Sequence, residues 1–188
     1  LEIIEEALQS PNFDKTLFTT DILLEKGENF VHKMDSSSYY DLVSHPEYKI
    51  RRNGVLLLQM YYTLAEKHNS NEEPSESEIS LLIAALEDPD FNFEANLLQL
   101  MSKFSDKVPD KIFSSRLEHQ SDKIRQIAAN SVGSINLDSL DQTAIPKLIE
   151  MLKTPKPNVE AAVMSALAKI GNFKENDIPI ENFWEGLI

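Results

Sequence analysis

The sequence contains no cysteine. Disulfides, thiolate metal sites and a cysteine nucleophile are therefore excluded, and we expect a reducing, cytoplasmic location. Glycine is also scarce, at 5 of 188 residues, beside 9 prolines. So little glycine argues against a β-sandwich, a β-barrel or a glycine-built phosphate loop. No apolar run approaches the roughly 20 residues that span a bilayer, so we expect no membrane-spanning segment.

Positive charge is the other shortage. There are 18 Lys and Arg residues against 31 Asp and Glu, so the formal charge is 18 − 31 = −13. Such a chain repels both the nucleic-acid backbone and anionic lipid, and we expect neither nucleic acid nor membrane among its partners. Hydrophobic residues still make up 41% of the chain, which is enough for a core and excludes wholesale disorder.

A repeated pair of residues, seven positions apart, organises the chain. Between Ile145 and Gly171, two amphipathic helical patterns flank a short proline-containing stretch, which predicts a helical hairpin. We call the two residues of each pair the first and the second anchor. They are Leu152 and Val159, Leu117 and Ile124, Leu86 and Phe93, Val43 and Ile50, and, as a weaker match, Leu8 and Lys15.

Proline marks the turn between the two helices of each unit. It stands four residues before the second anchor at Pro11, Pro46, Pro89 and Pro155, with Gln120 as the exception. Because proline cannot continue a helix, this column predicts a stop before the second helix begins. Apolar or small residues recur seven and eight positions after the second anchor, at Ile22 and Leu23, Leu57 and Leu58, Leu100 and Met101, Ser131 and Val132, and Ala166 and Leu167.

The anchors predict a single domain over residues 1–188, built of five helical hairpins and part of a sixth. The hairpins are expected at residues 1–27, 28–68, 75–106, 109–137 and 141–173, with the incomplete one at 177–188. Phe183 and Trp184 would be stacking residues of the sixth unit. Ser75 and Glu78 predict a capping box, and residues 26–38 are expected to carry an extra turn. Because the pattern is cut within a unit at both ends, we expect an excerpt of a longer protein with flanking repeats.

The proline column, the β-branched or aromatic second anchors, the small residues that follow them and the closing Ile170 and Gly171 resemble HEAT repeats. Units of 31 to 35 residues are similar to the short form found in many prokaryotic proteins. The resemblance implies an all-α fold, a right-handed α–α superhelix of the HEAT or armadillo-like solenoid type. It also implies that the second helices line a concave surface suited to holding another protein.

In this family, a turn aspartate and an arginine just after the second anchor often form a ladder between successive units. Here the residues after the second anchor are Thr16, Arg51, Glu94, Arg125 and Glu160. Their alternating sign predicts a substitute inter-repeat ladder, in which Arg51, Glu94, Arg125 and Glu160 pair along the stack. The alternative is an exposed ligand-binding row. Exposed pairs of this kind stabilise a fold by only about 0–1 kcal/mol each.

No set of residues points to catalysis, a metal or a cofactor. The four histidines show no zinc-like spacing, and His45 and His119 are interpreted as turn residues. Glu87, Asp88 and Asp90 could hold a cation, but the family's turn explains the two aspartates. A solvated acidic loop, with docking of a basic partner as the alternative, is expected from Glu72, Glu73, Glu76 and Glu78.

Apolar residues outside the buried stripe offer a second kind of contact. In the second unit these are Leu56, Met60 and Tyr62. They are expected either to pack against the longer neighbouring segment or to form an exposed anchor patch for a partner.

The concave columns of the repeat hold residues that are neutral or basic in a strongly acidic chain. These predicted contact residues are Arg52, Gln59, Gln99, Lys103, Gln126 and Asn130. We therefore expect a non-catalytic scaffold that binds a protein or peptide through this face. The alternatives are a HEAT-like enzyme, either a lyase or of the DNA-glycosylase type, and an architectural spacer.

Overall fold

The computed structural model describes residues 1–135, 140–141, 143–153 and 156–171. Among those residues every regular element is helical, with eleven α-helices and one short 3₁₀-helix, so the all-α prediction is confirmed. The predictions made for Pro155, Phe183, Trp184 and the incomplete unit at 177–188 lie outside the described residues. The chain divides into two compact units, residues 1–100 and 101–188, and the single domain over 1–188 stays a prediction.

The first unit is built of three helical hairpins and one short insertion. The helices are α1 (Glu2–Leu8), α2 (Phe13–Lys26), α3 (Glu28–Val31), α4 (Ser37–Val43), α5 (Tyr48–Lys67), α6 (Glu76–Ala85) and α7 (Phe91–Met101). α1 packs on α2 and α4 packs on α5, and α2 also packs on α5, so successive hairpins stack through their second helices. α3 contacts both α2 and α5 and lies within residues 26–38, where the sequence predicts an extra turn.

The described part of the second unit continues the hairpin pattern. It contains a 3₁₀-helix (Ser102–Phe104), α8 (Lys111–Ser114), α9 (Asp122–Val132), α10 (Ala144–Met151) and α11 (Pro157–Ile170). α8 packs on α9, α10 packs on α11, and α9 packs on α11. The approach of α9 to α11 is close, because a Cβ on Gly133 would lie 2.6 Å from the Cα of Ala166.

Four of the five second anchors lie in the interior of their hairpins, as the repeat predicts. Ile50, Phe93, Ile124 and Val159 are all buried. Pro11, Pro46 and Pro89 each lie in the turn between the two helices of a hairpin. The predicted capping box is also present, since the Ser75 hydroxyl accepts from the Glu78 N–H and the Glu78 carboxylate accepts from the Ser75 N–H. The hydrophobic spacing and the turn residues therefore locate the hairpins correctly.

The first hairpin departs from the predicted register at its anchor. Lys15 is exposed, and Thr16 is fully buried in its place. The Thr16 hydroxyl lies 3.0 Å from the carbonyl oxygen of Ser10, to which it donates. A threonine can fill this position because the turn supplies a hydrogen-bond acceptor for a hydroxyl that would otherwise be costly to bury.

Tyr62 is not part of an exposed patch, which corrects one of the two alternatives drawn from the sequence. Its ring is buried, and its hydroxyl lies 2.9 Å from the hydroxyl of Tyr40 on α4. Leu56 and Met60 are half-buried. Burial raises the pKa of Tyr62 to about 12 and also raises the pKa of Tyr40, because an ionised phenol would be poorly solvated there.

Candidate protein-interaction surface

The predicted contact residues lie on the second helices, or directly after one, and most of them are exposed. On α5, Arg52 is exposed and Gln59 is half-buried; on α9, Asn130 is exposed and Gln126 is half-buried. Gln99 on α7 and Lys103 in the 3₁₀-helix are both exposed. The set is divided between the two units, with Arg52, Gln59 and Gln99 in the first and Lys103, Gln126 and Asn130 in the second.

Gln59 has a structural role within the first unit. Its side-chain Nε2 donates a 2.7 Å hydrogen bond to the backbone carbonyl of Asn96 on α7. This bond joins the second helices of neighbouring hairpins, so a substitution at Gln59 would disturb their packing as well as any contact surface. Arg52 is the more informative position for testing a contact in this unit.

A half-buried ion pair joins the second hairpin to the third. Arg51, directly after the second anchor of α5, donates to Asp88 Oδ2 through Nε at 3.1 Å and through Nη2 at 2.6 Å. The two side chains are only 22% and 10% exposed. Nη1 of Arg51 also donates to the carbonyl oxygens of His45 and Pro46. We call this arrangement the Arg51 clasp.

Aromatic rings and a second aspartate complete the Arg51 clasp. The guanidinium carbon lies 5.9 Å from the ring centres of both Tyr48 and Phe93, which is within the range of a cation–π interaction. The Tyr48 hydroxyl donates to Asp90 Oδ1 at 3.1 Å. The Phe93 N–H also donates to Asp90, at 2.8 Å, and this bond is the main reason that the pKa of Asp90 lies below its usual range.

The same turn geometry recurs in the second unit. Residues 45–51 and 119–125 share the pattern His-x-x-x-Lys-Ile-Arg. In both, the histidine Nδ1 accepts a 3.0 Å hydrogen bond from the backbone N–H two residues later. Arg125 Nη1 donates to the carbonyl of His119 at 2.7 Å, as Arg51 does to that of His45. The turn interpretation of His45 and His119 is thus confirmed, and each histidine orders the entry to a second helix.

The two turns differ in the carboxylate with which each arginine pairs. Arg125 pairs with Asp122 of its own helix, and Lys156, just before α11, lies 3.2 Å from the other oxygen of Asp122. Asp122 is 46% exposed and Lys156 is 62% exposed, so this group is more exposed to solvent than the Arg51 clasp. Exposed pairs of this kind contribute only about 0–1 kcal/mol each.

These contacts revise the predicted ladder. Arg51 does reach the next hairpin, but its partner is Asp88 rather than Glu94. Arg125 pairs with Asp122 rather than with Glu160. Sequence reasoning missed both partners because it compared only one column, although Asp88 is a turn aspartate of the kind that the family's ladder pairs with an arginine. The remaining step, from Glu94 to Arg125, stays a prediction.

A separate groove lies in the second unit. It has a volume of about 520 Å³ and is lined by Leu117, Glu118, Arg125, Pro146, Lys147, Glu150 and Met151. Two of its charges pair with each other, since Lys147 Nζ lies 2.9 Å from Glu118 Oε2. The groove thus combines apolar residues with paired charged ones.

In the described ranges, no three His, Asp or Glu side chains come together in a group that could hold a metal ion. None of the helices in the same ranges combines the length and apolarity needed to cross a membrane. In the predicted acidic loop, Glu72 and Glu73 are exposed, whereas Glu78 is engaged in the capping box.

Comparison with known proteins gives a family match over part of the chain and a similar fold over most of it. A family model described as HEAT repeats matches residues 109–180. A crystal structure of an engineered protein is similar at a TM-score of 0.61 and 12% identity, covering 90% of this chain and 78% of that one. A second engineered protein has a TM-score of 0.48 and 10% identity, over 98% of this chain and 61% of its own. No curated protein sequence matches.

At 12% identity, the first engineered protein supports the helical fold alone. The family match falls on the stretch that contains α8 to α11, where the anchor pattern is clearest. Stacked hairpins, turn prolines and buried second anchors agree with that match. Residues 109–180 therefore match the HEAT-repeat family, and the rest of the described chain is similar to it in its helical-hairpin fold.

Proposed function

We propose that this protein is a non-catalytic scaffold that binds a protein or peptide across the exposed face of its second helices. The observation that carries the proposal is the contrast between the two sides of these helices. Their inner positions are buried and their turns are clasped, whereas Arg52, Gln99 and Asn130 stand exposed. A repeat array of this kind offers an extended surface whose shape is set by stacking rather than by any single loop.

Rigidity supports the same function. The Arg51 clasp and the bond from Gln59 to Asn96 both join neighbouring hairpins. Cross-links of this kind limit the motion of one hairpin against the next. A preorganised surface loses less conformational entropy on binding, so more of the contact energy appears as affinity.

The charge of the face suggests the chemistry of the partner. The chain carries a formal charge of −13, yet the predicted contact residues are amides and cations. Arg52 and Lys103 provide positive charge, and Gln99, Gln126 and Asn130 provide hydrogen-bonding groups. We infer a partner segment that is acidic or rich in exposed carbonyl groups, because either kind complements the cations and amides of this face. An acidic segment is in addition repelled by the rest of the surface.

The test is affinity capture with the full-length protein, comparing charge-reversed variants. The variant Arg52→Glu with Gln126→Glu changes the predicted face in both units. Its matched control is Lys111→Glu with Gln9→Glu, which makes the same change of charge. Lys111 lies in the first helix α8, and Gln9 directly follows the first helix α1. Captured partners are quantified by mass spectrometry against the unsubstituted protein.

We expect the Arg52 and Gln126 variant to lose its partner by about tenfold or more, because two contact positions then repel an acidic segment. The control should retain it. Equal capture by both variants would refute the proposed face. Absence of any specific partner for the unsubstituted protein would instead favour the architectural spacer.

A further inference from the structure

The turns of the first four hairpins are closed by the same kind of side-chain hydrogen bond. The residue directly before the turn proline, or before Gln120 in the fourth hairpin, accepts from the backbone N–H two residues later. The acceptor atoms are Ser10 Oγ, His45 Nδ1, Asp88 Oδ1 and His119 Nδ1, and the four distances are 3.2, 3.0, 3.0 and 3.0 Å. Each bond orders the backbone that leads into a second helix.

Two of these four acceptors lose their function when they gain a proton. A backbone N–H can only donate, so the Nδ1 atoms of His45 and His119 carry a lone pair and the ring proton lies on Nε2. Protonation places a hydrogen on Nδ1, which turns the acceptor into a second donor that faces the N–H. The bond therefore exists only with the neutral imidazole. A histidine ordinarily gains this proton at about pH 6.5.

The other turns and the other histidines behave differently. The hydroxyl of Ser10 does not titrate in this range, and an aspartate such as Asp88 ordinarily stays ionised above about pH 4. The Nδ1 of His32 lies 3.1 Å from the carbonyl oxygen of Glu28. A carbonyl can only accept, so His32 donates and its bond survives protonation. His68 stacks on His32, with the ring centres 4.7 Å apart.

The charges at the second hairpin's turn nearly cancel. Arg51 Nη1 donates to the carbonyl oxygen of His45 at 3.0 Å, so a protonated His45 would share the turn with a guanidinium. Asp88 of the next hairpin pairs with Arg51 and offsets its charge, and Glu47 in the same turn is exposed to solvent. The lost hydrogen bond therefore decides the effect of protonation at this turn.

The charges at the fourth hairpin's turn slightly oppose a further proton. Arg125 Nη1 donates to the carbonyl oxygen of His119 at 2.7 Å. Three cations beside this turn pair with two carboxylates: Arg125 and Lys156 with Asp122, and Lys147 with Glu118. The excess of one cation acts in the same direction as the lost hydrogen bond.

We propose that His45 and His119 are acid-sensitive latches of the second and fourth hairpins. The neutral imidazoles hold the entries to α5 and α9 closed, and protonation releases them, while the first and third turns keep their bonds. The open turn accepts a proton that the closed turn excludes, so the latch is complete above about pH 6.5 and weakens as the pH falls below it. The inference rests on the turn hydrogen bonds and stands independently of the proposed binding face.

Asparagine substitutions separate the latch from the turn itself. The Oδ1 of an asparagine can accept the same bond from the N–H two residues later, and it does not titrate in this range. His45→Asn with His119→Asn therefore keeps both turns and removes the proton dependence. The matched control, His32→Asn with His68→Asn, removes the other two histidines and leaves the latches intact.

Amide hydrogen exchange measures the opening of each turn at about pH 7.5 and about pH 5.5, after correction for the intrinsic pH dependence of exchange. The amides compared are the four that donate in the turns, those of Asn12, Glu47, Asp90 and Ser121. Nitrogen NMR of the histidine rings in the unsubstituted protein gives a second readout that needs no substitution.

We expect the opening constants of the Glu47 and Ser121 amides to rise by up to about tenfold at the lower pH, because protonated histidine then outnumbers neutral histidine by about ten to one. Those of the Asn12 and Asp90 amides should change by less than about twofold. The rise should persist in the control and disappear in the His45 and His119 variant. An equal rise in that variant, an equal rise at all four amides, or an Nδ1–H tautomer for His45 and His119 at neutral pH would overturn the proposal.

Discussion

Replacing Arg51 by methionine removes the charge of the Arg51 clasp while keeping a long side chain. Asp88, only 10% exposed, would then lose the cation that donates two hydrogen bonds to one of its oxygens. Breaking a fully buried pair costs about 3–5 kcal/mol, and breaking an exposed one costs about 0–1 kcal/mol. Because Arg51 is 22% exposed, we expect an intermediate cost. Arg51→Met should lower the free energy of opening α7 by about 2–3 kcal/mol.

Arg125→Met is a matched control for this substitution. Arg51 and Arg125 each donate to two turn carbonyls, so both substitutions lose those bonds. Arg125, however, pairs with Asp122, which is 46% exposed, and the expected cost is about 1 kcal/mol. The difference between the two variants therefore reports the half-buried pairing of Arg51 with Asp88.

Amide hydrogen exchange is the assay, because it reports the opening free energy of each helix separately. A double-mutant cycle with Asp88→Asn isolates the pair, and we expect a coupling of about 1–2 kcal/mol. A coupling below about 0.5 kcal/mol, or equal costs for Arg51→Met and Arg125→Met, would refute the reasoning that this clasp joins the hairpins.

Three other predictions concern packing, ionisation and capping. Gly133→Ala should destabilise α9 and α11 by about 1–3 kcal/mol because the added Cβ would collide with Ala166. Ser134→Ala, at the neighbouring exposed position, should have no such effect. Unchanged amide exchange in α11 of the Gly133→Ala variant would contradict the prediction. Since burial raises the pKa of Tyr62 from 10.0 to about 12, the folded state retains its proton longer than the unfolded state. The contribution of Tyr62 to the free energy of unfolding is then complete below about pH 10 and falls by about 1 kcal/mol per pH unit towards pH 12, which urea unfolding should show. Tyr62→Phe should reduce this pH dependence, and an unchanged dependence would count against burial of the hydroxyl. Ser75→Ala should cost about 1 kcal/mol in the opening of α6 through loss of the cap, whereas Ser80→Ala on the same helix should cost nothing, and equal effects would exclude the capping box.

The hairpins were predictable because their signals are local. Ile50, Phe93 and Ile124 are buried where the seven-residue spacing places them, and a proline between two amphipathic segments can only be a turn. The capping box at Ser75 and Glu78 likewise needs no information beyond four consecutive residues. Periodicity and turn chemistry act within one hairpin, so one sequence suffices to read them.

The errors arose where the outcome depends on atoms distant in the sequence. Thr16 replaces an apolar anchor because the carbonyl of Ser10 accepts a hydrogen bond from its hydroxyl, and Tyr62 is buried because Tyr40 lies opposite it. Arg51 pairs with Asp88 rather than with Glu94 because Asp88 lies in the turn of the next hairpin, within reach of the guanidinium. Each choice is set by the stacking of two helices, which the hydrophobic pattern alone does not determine.

The exposed face illustrates a further limit of sequence reasoning. Six positions were predicted from the repeat frame, and Gln59 belongs instead to the packing between α5 and α7. An amide in such a column can serve either purpose, and only the position of the neighbouring carbonyl distinguishes them.

The central claim is that a partner lies across the second helices, and amide hydrogen exchange with and without the captured partner tests it most directly. We predict slower exchange in α5, α7 and α9 on binding, with the first helices α4, α6 and α10 unchanged. Slowing confined to those first helices, or to the groove beside Lys147, would contradict the claim.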